Sequence, residues 1–255
     1  MILFTVVPLG MVAYFAFFDQ GQFTTAGITR IFSFMPNLLL SFKLALIATV
    51  VSLLLAYPFA YILSRKPERS RITYMMLMML PMWMSFLLKT YAWMTLLEDT
   101  GIINNLLSAL HLPTFHMINT EGAVILGMIY DFLPFMIMPL YTVMIKIDRS
   151  VIEAAQDLGA NSAHILFRVV MPLSLPGIVS GVTMVFVPAV STFYISQKLG
   201  GGKITLIGDI IESQFKQVYN FNFGSAMSLT LMILIFIVMG IMNHFDNEAI
   251  EGTLV

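Results

Sequence analysis

A single carboxylate interrupts an otherwise apolar stretch of the sequence. Asp131 follows Tyr130 within the run Gly122–Ile147 and is the one acid in it. A charged side chain inside a membrane span is costly, so it is a functional candidate by default. A carboxylate and an aromatic face can together replace the water around a cation, and a cation–π contact is worth about 0.5–2 kcal/mol. The alternatives are that Asp131 pairs with Lys89 or Lys43, or simply reaches water.

A polar segment between two apolar runs carries the pattern of two short helices joined by a turn. The apolar residues that recur at helical spacing in the first helix are Val151, Ile152, Ala155 and Leu158. Gly159 can end this helix in the left-handed conformation. Asn161 or Ser162 can then cap a second helix, and Pro172 marks the start of the next apolar run. A helix pair of this kind can pack into a groove on a partner protein.

The composition is that of a membrane protein. Of the 255 residues 58% are hydrophobic and 11% are charged, whereas an ordinary soluble domain is about 25% charged. There is too little polar side chain to cover a water-facing globule, so lipid must be the solvent for much of the surface. Cysteine is absent, which excludes disulfides and thiolate chemistry, and the net charge of −1 gives no indication of nucleic-acid binding.

The elements that must position these residues are membrane helices. A span needs about 20 mostly apolar residues, and six segments qualify. They lie at about residues 2–18, 38–63, 72–97, 122–147, 173–196 and 224–245. The first is short, but it lacks the basic region and cleavage site of a signal peptide, so we interpret it as a short or partly interfacial span. We therefore expect an all-α membrane protein with six transmembrane helices, forming one domain over residues 1–255.

Lysine and arginine predict the orientation of these spans. The loops after the second and fourth spans carry seven basic residues, Arg65, Lys66, Arg69, Arg71, Lys146, Arg149 and Arg168. The opposite loops carry four, Arg30, Lys198, Lys203 and Lys216. The loop 98–121 has no lysine or arginine and is predicted to be external. Both termini are then cytoplasmic, and so is the segment 149–172.

Several chemistries lack the residues they need. There is no Gly-x4-Gly-Lys-Ser/Thr loop for a nucleotide, so any ATP must be bound by another chain. No metal-ligand cluster is evident, since His111 and His116 are five residues apart in a predicted external loop and His164 and His244 are isolated, and we expect no cofactor. An intramembrane enzyme would need a second catalytic group facing Asp131. A secondary transporter is expected to have inverted repeats, and none is evident.

The loop between the fourth and fifth spans resembles a known family. Glu153-Ala154-Ala155, then Gly159, then Val169-x-Met171-Pro172 is similar to the EAA loop of ABC-importer permeases, written EAA-x3-G-x9-I-x-L-P. The spacing matches throughout, with Val for Ile and Met for Leu. This resemblance implies a cytoplasmic coupling helix, within residues 149–172, that docks into a cleft on an ATPase. The residues assigned to ATPase coupling are Glu153, Ala154, Ala155, Gly159 and Pro172.

The similarity extends over most of the chain. Phe132–Tyr141, Pro188–Ser196 and Leu199-Gly200-Gly201 resemble the spermidine/putrescine permeases of the PotB type, and Lys89-Thr90-Tyr91-Ala92-Trp93 resembles the family's Arg-x-Tyr-x-Trp. The resemblance implies polyamine import across a bacterial cytoplasmic membrane. It also implies as partners two ATPase subunits, a second permease and an external substrate-binding protein. A permease of the same type for an amino acid, an anion or an iron chelate is the alternative.

The resemblance also directs attention to side chains that could replace the water around a polyamine. The candidate translocation residues are Asp131, Tyr130, Tyr91, Trp93, Glu98, Phe193 and Tyr194. We expect all but Asp131 and Tyr130 to lie near the external end of the spans.

Overall fold

The computed structural model describes residues 2–19 and 22–252, and it describes side-chain environments for residues 4–18 and 22–242. This part of the chain is almost entirely helical, as predicted. Its strands are β1 (Phe18–Asp19) and β2 (Gln22–Phe23), which pair antiparallel with Phe18 opposite Phe23. The helices up to the central apolar one are α1 (Ile2–Phe17), α2 (Ala26–Ile31), a 3-10 turn (Phe32–Phe34), α3 (Met35–Ser64), α4 (Glu68–Trp83), α5 (Phe86–Leu97), α6 (Ile102–Ala109) and α7 (Glu121–Met144).

The second half of the chain contains shorter helices followed by one long helix. They are α8 (Arg149–Asp157), α9 (Ser162–Ile165), a π-helical turn (Leu166–Val170), α10 (Met171–Leu173), α11 (Leu175–Ser191), α12 (Tyr194–Leu199), α13 (Ile207–Lys216) and α14 (Phe221–Gly252). Helix α8 therefore lies within the predicted coupling loop.

The described helices include several that are long and apolar enough to cross a membrane. Three single helices meet this criterion, over Ala26–Ser64, Glu121–Met144 and Phe221–Met242. If each of two bent helix pairs is counted as one span, the described residues contain five candidate spans. The apolar segment Phe4–Phe17 is shorter and coincides with the short first span of the prediction. Large apolar side chains such as Phe4, Leu54 and Phe236 are exposed, which is typical of surfaces that face lipid or other subunits.

The segment predicted as a span over 72–97 is a bent pair of helices. Helices α4 and α5 are bent by 90° at the break between Trp83 and Phe86. Pro81 lies in the last turn of α4, and Met84 at its end has an extended backbone. A proline inside a helix removes one hydrogen bond and clashes with the preceding turn, so it favours a kink or an end at this point.

The predicted span over 173–196 is also interrupted. The helix that includes α10 is bent by 73° relative to α11, with Ser174 at the break and Pro172 and Pro176 on either side. Helix α11 ends at Ser191, and a new helix, α12, begins at Tyr194. Residues 192–196 thus do not continue the span, and the aromatic pair Phe193 and Tyr194 begins a separate short helix.

The described residues fall into two compact units. The first comprises Met1–Leu46, Thr90–Gly127 and Pro188–Val238. Within it, Gly127 of α7 lies so close to α12 that an added Cβ would be 2.8 Å from the Cγ2 of Ile195. Helix α13 is fixed to α3, since the Ile207 N–H donates to Ser41 Oγ at 2.8 Å and Asn37 Nδ2 donates to the Thr205 carbonyl at 2.8 Å.

The second unit comprises Ile47–Lys89, Met128–Val187 and Met239–Val255. Its core is an apolar cluster in which α3, α7 and α11 meet, with Ala56, Met136, Leu140 and Val185 fully buried. A Cβ added at Gly181 would be 2.8 Å from Met136 Sδ. Small residues at such crossings allow membrane helices to approach closely, which replaces the hydrophobic driving force that lipid does not provide.

Candidate functional site

The predicted coupling loop begins with a well-capped helix. The carboxylate of Asp148 accepts a hydrogen bond at 3.0 Å from the backbone N–H of Ser150. This hydrogen bond stabilises the charged carboxylate and holds the pKa of Asp148 below its ordinary value. A carboxylate at a helix N-terminus satisfies an otherwise unpaired N–H, so the start of α8 is fixed locally by its sequence.

Gly159 ends α8 in the left-handed conformation, as predicted, with φ of +83°. Its N–H donates to the carbonyl of Gln156 at 2.8 Å, and the N–H of Ala160 donates to that of Ala155 at 3.0 Å. These two bonds form a Schellman motif, which reverses the chain sharply at the end of a helix. Asn161 then caps α9 by accepting from the His164 N–H at 2.8 Å, so Asn161 rather than Ser162 is the capping residue.

The apolar residues predicted for α8 are divided between the core and the surface. Ile152 and Ala155 pack against the core of the second unit, but Val151 and Leu158 are exposed, Leu158 to 89%. Leu158 is the residue at which the helix ends, so its side chain leaves the packed face. The outer side of α8 presents Glu153 and Ala154, which are also exposed.

A groove of about 480 Å³ opens beside the turn. It is lined by residues on both sides of Gly159, among them Leu158, Asn161, His164 and Arg168. Val169 also borders it, and Pro172 lies half-buried in α10 just beyond. Of the predicted coupling residues, Ala155 and Gly159 line this groove, whereas Glu153 and Ala154 lie on the exposed side of α8.

Asp131 is buried and paired. Its carboxylate lies 2.6 Å from the Nζ of Lys89, and the two side chains are 4% and 8% exposed. The rings of Phe86 and Tyr130 flank the same ammonium, with centroids 5.8 Å and 6.0 Å from Nζ. Lys43, the other partner considered, is instead 2.7 Å from Glu121 in an exposed pair.

The other aromatic candidates lie in the first unit, and each of three faces a lysine. Lys198 Nζ is 5.2 Å from the ring centroid of Tyr91 and 5.8 Å from that of Tyr194. Lys216 Nζ is 5.9 Å from the ring of Phe193. These predicted site residues thus lie around three lysines of the chain, Lys89 in the second unit and Lys198 and Lys216 in the first.

The remaining candidates are Trp93 and Glu98. Trp93 is half-buried in α5. The side chain of Glu98 is exposed, while its backbone carbonyl accepts from the Gly101 N–H at 2.8 Å and from Asn104 Nδ2 at 3.3 Å. Among the described residues no group of three or more metal-ligating side chains comes together.

Sequence reasoning missed a second buried acid. Asp209 accepts from the Leu206 N–H at 2.7 Å and from Ser196 Oγ at 2.9 Å, and thereby fixes the start of α13 to α12. An isolated acid in the apolar run Leu206–Ile211 is the same signal that singled out Asp131. Burial raises the pKa of Asp209 to about 6, although its hydrogen bonds act in the opposite direction.

This carboxyl group predicts a pH dependence of stability. An acid whose pKa is higher in the folded protein favours the folded state at low pH, and this contribution is lost as the pH rises from about 3.8 to about 6. Asparagine does not titrate, so Asp209→Asn should remove this pH-dependent loss of stability. The difference in melting temperature between variant and wild type should therefore change between these two pH values. Thermal unfolding in detergent at a series of pH values measures it.

Glu212 provides a control of opposite sign. The hydrogen bond from Lys216 lowers its pKa, so its contribution is present above the unfolded-state pKa and is lost as the pH falls. Glu212→Gln should therefore cost more stability at high pH than at low pH. If the difference in melting temperature between Asp209→Asn and the wild type stayed constant between pH 3.8 and 6, the pH dependence assigned to Asp209 would be contradicted.

Comparison with known families gives one match over almost the whole chain. Residues 6–250 match the family described as the binding-protein-dependent transport system inner membrane component. The alginate ABC transporter, solved in complex with an alginate pentasaccharide-bound periplasmic protein, contains a chain of similar fold. The TM-score is 0.77 at 15% identity, covering 95% of this chain and 87% of that one. At this identity the likeness shows the fold alone.

Two relatives are much closer in sequence. The spermidine/putrescine transport system permease protein PotB of Haemophilus influenzae is 41% identical over 196 residues, which cover 76% of this chain and 68% of the relative. The protein of the same name from Escherichia coli is 38% identical over 231 residues, covering 89% of this chain and 82% of the relative.

Proposed function

Because the chain belongs to the family of binding-protein-dependent transport system inner membrane components, we propose that it is a permease subunit of an ATP-driven polyamine importer. It carries spermidine and putrescine across the bacterial cytoplasmic membrane. The observation that carries this proposal is the similarity to the spermidine/putrescine permeases over most of the chain. Members of this family transport solutes and are not enzymes, so the hydrolysis of ATP belongs to a partner.

Six spans with both termini in the cytoplasm give this permease its topology. The apolar helices of the described chain support the spans, and the excess of basic residues in the loops after the second and fourth spans supports the orientation. With this topology α8 and the turn at Gly159 lie on the cytoplasmic side, and the clusters around Lys198 and Lys216 lie toward the outside.

The helix α8 is the coupling helix. Its inner face packs on the core of the second unit through Ile152 and Ala155, which links any displacement of the helix to the spans. Its outer face presents Glu153 and Ala154 to the cytoplasm, beside the groove at Gly159. An ATPase subunit that docks on this surface can therefore move the spans when its dimer closes.

Polyamine passage requires groups that replace water around each ammonium. Asp131 with Tyr130 supplies a carboxylate and a ring in the second unit. Tyr91, Phe193 and Tyr194 supply aromatic faces in the first, with Trp93 and Glu98 on the same helical segment or directly after it. The importer is completed by two ATPase subunits, a second permease subunit and an external substrate-binding protein.

Mild affinity capture of the chain from detergent tests the assembly. An ATP-hydrolysing subunit and a second multi-span permease should elute with it, and the captured complex should take up spermidine in proteoliposomes supplied with ATP and the substrate-binding protein. If the complex takes up an amino acid, an anion or an iron chelate instead of polyamines, the chain is still a permease subunit but its substrate is not a polyamine. A chain that elutes alone, in lipid and at low salt, would contradict the importer.

A further inference from the structure

The environment of the Lys89 ammonium has the composition of a binding site for an alkylammonium. The Asp131 carboxylate contacts Nζ at 2.6 Å, and the rings of Phe86 and Tyr130 lie at 5.8 Å and 6.0 Å. The side chains of the lysine and the aspartate are 8% and 4% exposed. A carboxylate with two aromatic faces is how proteins commonly hold a cation away from water.

The end of a polyamine is chemically the same as the end of a lysine side chain, namely a primary ammonium on an alkyl chain. We propose that Lys89 is a resident substitute for the substrate, and that a polyamine ammonium takes its place on Asp131 during transport. This inference rests on the proposed polyamine import and assigns Lys89 a role within it. The site thus alternates between two ammonium groups, one tethered and one free.

Charge balance is the physical reason for such an exchange. A buried carboxylate without a partner is strongly destabilising, and inside a membrane span it is costly in its charged form. A carboxylate in the pathway would be left charged and without a partner each time a substrate departs. A lysine that returns to Asp131 keeps the site neutral between transport cycles, because one ammonium replaces another.

The first unit repeats this chemistry with different residues. Lys198 lies over Tyr91 and Tyr194, and Lys216 lies over Phe193 while its ammonium pairs with Glu212 at 2.9 Å. Aromatic faces that we assign to polyamine passage are thus also occupied by lysines of the chain. In both units a substrate ammonium would compete with an ammonium that is already present.

Substitution of Lys89 tests the exchange in the assembled importer. A ligand that must displace a resident group has its apparent affinity reduced by the fraction of time for which the site is open. Lys89→Met removes the competitor, so the spermidine concentration for half-maximal thermal protection and uptake should fall about tenfold or more. Lys43→Met is the matched control, since it breaks the exposed pair with Glu121 and should leave half-saturation unchanged.

The double variant Lys89→Met/Asp131→Asn separates this role from a structural one. It removes both charges, so it restores assembly if the single variant misfolds. The exchange predicts an assembled complex with ATPase activity whose spermidine uptake is reduced at least about tenfold.

Three results would overturn the exchange: wild-type uptake in the double variant, wild-type half-saturation in an assembled Lys89→Met complex, or failure of both variants to assemble. In each, Lys89 and Asp131 form a structural pair. If the wild-type importer does not transport polyamines at all, the proposed function itself is contradicted. Failure of the exchange can therefore be distinguished from failure of the proposed function.

Discussion

Replacement of Asp131 with asparagine is expected to slow polyamine uptake by the assembled importer about tenfold to a hundredfold. Asparagine has nearly the same shape as aspartate and can still accept a hydrogen bond from Lys89, with which Asp131 pairs at 2.6 Å. It removes the negative charge that would hold a substrate ammonium. A hydrogen bond to a charged group contributes about 1.5–3 kcal/mol, which corresponds to this range of rates. Initial rates of spermidine uptake in proteoliposomes measure the effect.

Glu121→Gln is the matched control for Asp131→Asn. Glu121 also pairs with a lysine, Lys43, at 2.7 Å, but both side chains are exposed. An exposed ion pair contributes little to stability, so uptake in this variant should match the wild type. Unchanged uptake in assembled Asp131→Asn would remove Asp131 from the translocation pathway.

Changes in the coupling loop are expected to separate ATP hydrolysis from transport. Glu153 is exposed on α8, so Glu153→Lys should leave the fold intact and place a cation where the ATPase receives an anion. Unfavourable charge at an interface costs several kcal/mol, so docking should weaken about a hundredfold or more. Gly159→Pro should act through the turn, because proline requires φ near −65°, whereas Gly159 has φ of +83° and donates its N–H to Gln156.

Measurement of ATPase co-purification together with uptake per ATP hydrolysed checks these variants. Glu68→Lys makes the same charge change on an exposed residue of another predicted cytoplasmic loop and should have little effect. Gly202 also has a positive φ, of +74°, with open space around it, so Gly202→Pro controls for a strained turn elsewhere. Normal docking and transport in both coupling variants would show that the loop does not couple to an ATPase.

The parts of this protein that depend on local sequence could be predicted well. The shortage of charge required apolar helices, since lipid leaves the backbone no other hydrogen-bond partner than itself. The turn at Gly159 was predictable because only a few residues next to each other determine it, and the structure confirms its left-handed backbone. The helix breaks at Met84 and Ser174 were harder to predict from the sequence. Proline marks both regions, but other prolines, such as Pro58 and Pro134, lie within continuous helices.

The sequence by itself determined a nearly all-helical membrane chain, a capped helix and glycine turn between two apolar segments, and an isolated acid at Asp131. Tertiary structure decided which lysine neutralises that acid, which aromatic rings face Lys198 and Lys216, and that Asp209 is buried against Ser196. It also decided that Leu158 stays exposed while Ile152 packs. Most of these outcomes depend on how one helix packs against another. Local spacing states which groups are present, but only packing determines which of them meet.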